Sequence, residues 1–95
     1  MSNVGYHEAI NELSAETRDM HRALLSLREE LEAIDGYNQR VDACVDSDLR
    51  AIIEHNRDEE KEHAAMLLEW IRRRDVHFGK ELKGTLFSEL PIVDH

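Results

Sequence analysis

Glu60 and His63 are three residues apart in the run Glu59-Glu60-Lys61-Glu62-His63. On a helix that spacing puts a carboxylate and an imidazole on one face, where both can reach the same cation. The spacing alone says little. A chain this rich in glutamate, with six histidines, would produce roughly one such step by chance. Placement is more telling. Glu60 lies seven residues after Ile53 and seven before Leu67, on an apolar stripe, and a carboxylate on a core-facing stripe needs a metal or a base to offset its lost hydration. Glu30 occupies the same kind of position, three residues after Leu27 and four before Ile34, with Tyr37 two turns further along.

These residues can meet only if the elements carrying them are long helices folded back on each other. Ile10, Leu13, Met20, Leu24, Leu27, Leu31, Ile34 and Val41 recur at steps of three, four or seven. The pattern predicts a helix over about 7–44 that continues through Gly36, at a cost of about 1 kcal/mol relative to alanine. A turn near Val45-Asp46-Ser47, with Asp46 or Ser47 as N-cap, leads to a second helix over about 48–74. Its stripe reads Leu49, Ile52, Ile53, Asn56, Glu60, His63, Ala64, Leu67 and Ile71. Asp75 is the expected cap of a third, shorter helix over about 75–88, and Pro91 lies beyond its end. The fold class is all-α: one domain over 1–95, an antiparallel two-helix hairpin plus a short C-terminal helix.

A hairpin turning near residue 46 sets positions whose numbers sum to about 92 opposite each other, because both helices rise about 1.5 Å per residue. Glu30 then faces positions 61–63. A ferritin-like di-iron site takes one Glu from each of two helices and Glu-x-x-His from each of two others, and this chain has one helix of each kind. A two-fold axis through the site would supply two Glu30, two Glu60 and two His63. Such a dimer would be a four-helix bundle. Carboxylates with imidazole suit iron, with manganese as a competitor.

Composition agrees with a helical, self-associating chain. Ninety-five residues, 35% charged, with one Pro and four Gly, are closer to a long-helix composition than to a sheet protein or a disordered one. A chain this short often gains stability by oligomerising. The net charge of −9 argues against a nucleic-acid partner, which needs a basic stripe. Arg72-Arg73-Arg74 is explained by the helix C-terminus it occupies. With no apolar run long enough for a signal peptide or membrane span, no membrane association is expected and a cytoplasmic location is the default. The single cysteine, Cys44, allows no intramolecular disulfide and is expected to behave as a small buried hydrophobe.

Longer stretches carry a resemblance. The runs Met20-His21-Arg22-Ala23, Glu29-Glu30-Leu31-Glu32-Ala33, Tyr37 and Gln39-Arg40-Val41-Asp42-Ala43, then His55 through Ala64 and Leu68-Glu69-Trp70-Ile71-Arg72-Arg73, closely resemble the encapsulated ferritins over about residues 8–92. The resemblance implies a ferroxidase centre at a dimer interface, two iron ions per subunit pair, and oxidation of Fe(II) to Fe(III) by dioxygen. It implies a ring-shaped decamer built from dimers, and iron storage inside an encapsulin shell in the cytoplasm. Glu30, Glu60 and His63 would be the iron ligands, Tyr37 would stand beside them, and Glu29 and Glu32 would form an outer entry site. Two departures stand out: Gly36-Tyr37 replaces the family's usual Trp-Tyr, and the family's C-terminal shell-targeting extension is not seen after Pro91-Ile92-Val93-Asp94-His95.

Two other functions fit the same hairpin. One is a non-catalytic dimerisation module whose acids pair with Arg57, Arg40 or lysines. The other is a metal store or sensor without turnover. A hemerythrin-like carrier would need more histidines than the stripes provide. Trp70 is expected to be a packing anchor at a subunit contact, and His21, His55 and His77 are expected to be surface or hydrogen-bonding residues.

Overall fold

Ser14 decides where the first long helix begins. Its hydroxyl accepts a hydrogen bond from the Thr17 amide at 3.1 Å, and α1 runs Ala15–Ala43. The expected start near His7 is therefore corrected. Ile10–Glu12 form a separate 3-10 turn whose N-cap, Ala9, offers no side-chain acceptor. The three-residue step from Ile10 to Leu13 fits a 3-10 turn as well as an α-helix, so periodicity could not distinguish them. The computed structural model describes residues 5–93; the parts of the one-domain expectation that fall on 1–4 and 94–95 lie outside the described residues.

At the other end of the hairpin Asp46 is the cap. Its carboxylate accepts from the Leu49 amide at 2.8 Å, and α2 runs Ser47–Arg74. Asp75 closes α2 and opens α3, Val76–Thr85, by accepting from the Phe78 amide at 2.9 Å. The third helix stops three residues short of the expected 88. Leu86 donates the last helical bond to the Leu82 carbonyl at 2.8 Å, and Phe87 turns into the left-handed region at φ 59°, which ends a helix by reversing the chain. Gly79 lets α3 approach α2: a β-carbon there would lie 3.0 Å from the Arg72 carbonyl oxygen. At Gly36, by contrast, nothing lies within 4 Å of where a β-carbon would be, and α1 runs straight through it.

The two long helices are antiparallel, with Asn38 meeting Arg57 at 3.4 Å and Glu30 meeting His63 at 3.6 Å. Their shared core is thin. Among the described residues only Ala23, Val41 and Ile71 are buried apolar side chains, and Ile71 alone is fully so. Leu24, Leu31, Leu49, Ile52 and Met66 are exposed. The radius of gyration is 17.1 Å, where a compact chain of this length would measure about 12 Å. The accessible surface is 7719 Å², against roughly 5,700 Å² for a compact monomer of this mass. Stable domains bury one layer of secondary structure against another, and this hairpin is a single layer. No helix among the described residues is long and apolar enough to cross a membrane.

Candidate metal centre

Glu30 comes from the middle of α1, and Glu60 and His63 from the middle of α2. The hairpin register brings them together: ligand atoms of all three lie within 4.8 Å of one another. His63 Nδ1 is 3.6 Å from Glu30 Oε2 and 3.8 Å from Glu60 Oε2. Those separations are too long for hydrogen bonds, so the imidazole stands between two carboxylates without bonding either.

Burial makes the arrangement costly. The Glu30 and Glu60 side chains are 23% and 24% exposed and His63 is 43% exposed. Glu30 Oε2 is itself buried and has no hydrogen-bond partner, and an orphaned buried acceptor costs about 1–3 kcal/mol. Among the described residues neither glutamate has a Lys or Arg within ion-pair distance. The bases that could have neutralised them are engaged elsewhere. Arg57 pairs with Asp58 at 3.1 Å and donates to Asn38, holding the Asp58 carboxyl below its ordinary range. Arg40 lies over the Tyr37 ring, 5.6 Å from its centroid. Two hard oxygen donors, one imidazole and an unpartnered buried lone pair fit a divalent first-row cation. The triad is half-buried rather than buried, because a single-layer hairpin has nothing over this face.

The remaining expected residues are less tightly gathered. Tyr37 is half-buried, about 10 Å further along α1 from Glu30 by helical rise. Glu29 and Glu32 are exposed, with Glu32 3.8 Å from Arg28 in an i,i+4 pair. Cys44 is half-buried, its thiol donating to the Asp46 carbonyl at 3.6 Å. His55 and His77 sit on the surface beside Glu59 and Glu81, whereas the His21 ring stacks on Tyr6, with centroids 4.0 Å apart. A trough also opens beside the triad, lined by Ser26, His63, Met66, Leu67 and Trp70 among others. Sequence reasoning did not assign Ser26 or Met66 to this region, although helix arithmetic could have: Ser26 is four residues before Glu30, and Met66 three after His63.

Comparisons with known proteins agree over most of the chain. The EncFtn-like family profile matches residues 5–89. An encapsulated ferritin-like protein of Rhodospirillum rubrum is 57% identical over 87 residues, covering 92% of this chain and 62% of that protein. This chain therefore spans less than two thirds of that relative's length. A ferritin-like protein of Thermotoga maritima is 52% identical over 89 residues, covering 94% of this chain and 78% of its own. The crystal structure of protein ne0167 from Nitrosomonas europaea superposes with a TM-score of 0.91 at 70% identity, covering 95% of this chain and 99% of that one.

Proposed function

The chain belongs to the EncFtn-like family of encapsulin-associated ferritin-like proteins, and from that premise we propose that it is a ferroxidase whose di-iron site is completed by a second copy of itself. The observation that carries the proposal is the convergence of Glu30, Glu60 and His63 around an unpartnered buried carboxylate oxygen. Ferrous iron is the substrate. When bound, iron supplies one-electron chemistry: each Fe(II) gives up one electron, and dioxygen accepts two electrons and two protons to leave as hydrogen peroxide, or four of each to leave as two waters.

The protein's own residues provide the rest. Glu30 and Glu60 would hold the ions with fixed negative charge, which favours the more positive product state. His63 would contribute a neutral nitrogen, so the site does not accumulate an excess of anionic groups. Glu30, Glu60 and His63 of each copy give the four-carboxylate, two-histidine set of a ferritin-like centre. Tyr37 is proposed to stand next to that set in the dimer, and Glu29 and Glu32, exposed on α1, to attract Fe(II) from solvent. A second hairpin over the exposed face would also supply the missing layer and cover exposed apolar side chains such as Ile52, a burial term that favours pairing. The proposed assembly is a ring-shaped decamer of such dimers, holding iron inside an encapsulin compartment in the cytoplasm. The name of the Rhodospirillum rubrum relative, an encapsulated ferritin-like protein, supports the encapsulin part.

Aerobic addition of Fe(II), followed in the near ultraviolet on a sample of known oligomeric state, tests the reading. Oxidation well above the buffer rate is expected from the assembled protein. A rate no faster than buffer from a confirmed oligomer would leave a metal store or a plain dimerisation module in its place.

A further inference from the structure

We propose that Met66 is a sacrificial oxidation site for the centre, its thioether intercepting hydrogen peroxide released beside His63 before other side chains are damaged. The inference rests on the ferroxidase reading. Met66 is 58% exposed and lies one turn beyond His63 on α2, about 4.5 Å further along the axis. Both side chains line the same open trough. Among the described residues no other methionine is so placed: Met20 is half-buried and borders an adjoining recess that meets the trough at Asp19, Trp70 and Arg74, about 15 Å along α1 from Glu30 by helical rise. Trp70 and His63 are the other oxidisable side chains lining the trough, and the Arg74 guanidinium lies 4.7 Å from the Trp70 ring centroid. A cation over an indole face disfavours loss of an electron from the ring, which leaves the thioether as the softer target.

The step balances. The sulfur lone pair attacks one oxygen of hydrogen peroxide, an S–O bond forms and the O–O bond breaks. The second oxygen leaves as hydroxide and becomes water on protonation. Sulfur is oxidised by two electrons to the sulfoxide and the peroxide is reduced by two. Return to the thioether takes two electrons and two protons and releases water; a methionine sulfoxide reductase drawing on a dithiol donor would supply them, so the site can act repeatedly.

Peptide mass spectrometry on the assembled protein after Fe(II) and air tests the proposal, with the oxidation rate recorded on the same sample. A reference sample is protein assembled with Zn(II) in place of iron and given hydrogen peroxide in bulk, which reports the preference set by exposure alone in the same assembly. The ratio of sulfoxide at Met66 to sulfoxide at Met20 is expected to be at least fivefold higher after iron turnover than in that reference. In Met66→Leu the initial oxidation rate should stay within about twofold of the parent, while oxidation products move to Trp70 and His63. Fast iron oxidation with an unchanged ratio, or Met66→Leu with no new products, overturns the role of Met66 and leaves the ferroxidase reading intact. No acceleration of iron oxidation overturns both.

Discussion

Glu60 and Glu69 lie on the same helix, two and a half turns apart, in opposite situations. Glu69 accepts hydrogen bonds from Nε and Nη2 of Arg72 and from Nε of Arg73, each at 2.7 Å. Those bonds hold its carboxyl at a pKa of about 2. Glu60 is more enclosed, and its nearest ionic neighbour is an imidazole at 3.8 Å. A structural acid is thus recognisable by bases one turn away on its own helix. An acid set for a cation is recognisable by burial without any such base.

Substitution should separate the two acids most widely. Glu60→Ala or His63→Ala is expected to lower the Fe(II) oxidation rate about 100-fold, because losing a single electrostatic group at a reacting centre commonly costs about 10²–10³. Glu69→Ala should leave the rate unchanged. Rapid-mixing absorbance on all three proteins checks this, and an impaired Glu69→Ala would dissolve the distinction.

Assembly offers the next test. Metal bound between copies stabilises the paired state by mass action. Chelator-treated protein should therefore run as smaller species on size exclusion and shift to dimers or larger on adding Fe(II), with the shift absent in Glu30→Ala. An active isolated monomer would contradict the shared site.

Stability should show the reverse ordering in metal-free protein. Glu30→Leu removes a half-buried carboxylate with an orphaned oxygen, and a gain of about 1 kcal/mol would raise Tm by roughly 4–8 °C for a chain of this size. Added iron should raise Tm in the parent only. A lower Tm for metal-free Glu30→Leu would mean the carboxylate is better accommodated than its missing partner implies.

The smallest effect concerns Glu69. Its folded pKa, about 2, lies below the ordinary 4.5. Its stabilising contribution is therefore present above about pH 4.5 and lost as pH falls toward 2. The Glu69 side chain is 42% exposed, so salt should weaken the contribution. Urea midpoints of the parent and Glu69→Gln should differ slightly at pH 7, converge near pH 2, and lie closer together in 0.5 M salt. Equal spacing at both pH values would argue that the arginine clamp has no energetic role.

Much of this was legible in residue types. Asp46, Asp75 and the apolar stripes locate the hairpin and the short third helix. Glu30, Glu60 and His63 can be brought to one height by counting from the turn. The start of α1 was not legible, because Ile10 and Leu13 satisfy two helical periods and the Ser14 cap separates them. Nor was the end of α3, which depends on the left-handed Phe87. The occupations of Arg57 and Arg40 were equally hidden, since a flexible base near an acid in sequence can turn toward several partners.

What the sequence determined by itself is the repeat of apolar side chains, the caps and the positions of three donors, because helical geometry converts spacing into facing with no further information. Only the tertiary structure decided that Glu30 Oε2 is buried without a partner, that Arg57 and Arg40 turn elsewhere, and that the donor face stays half open. Those outcomes depend on which atoms lie within a few ångströms across two helices, where rotamer and packing choices compete and residue spacing has no say.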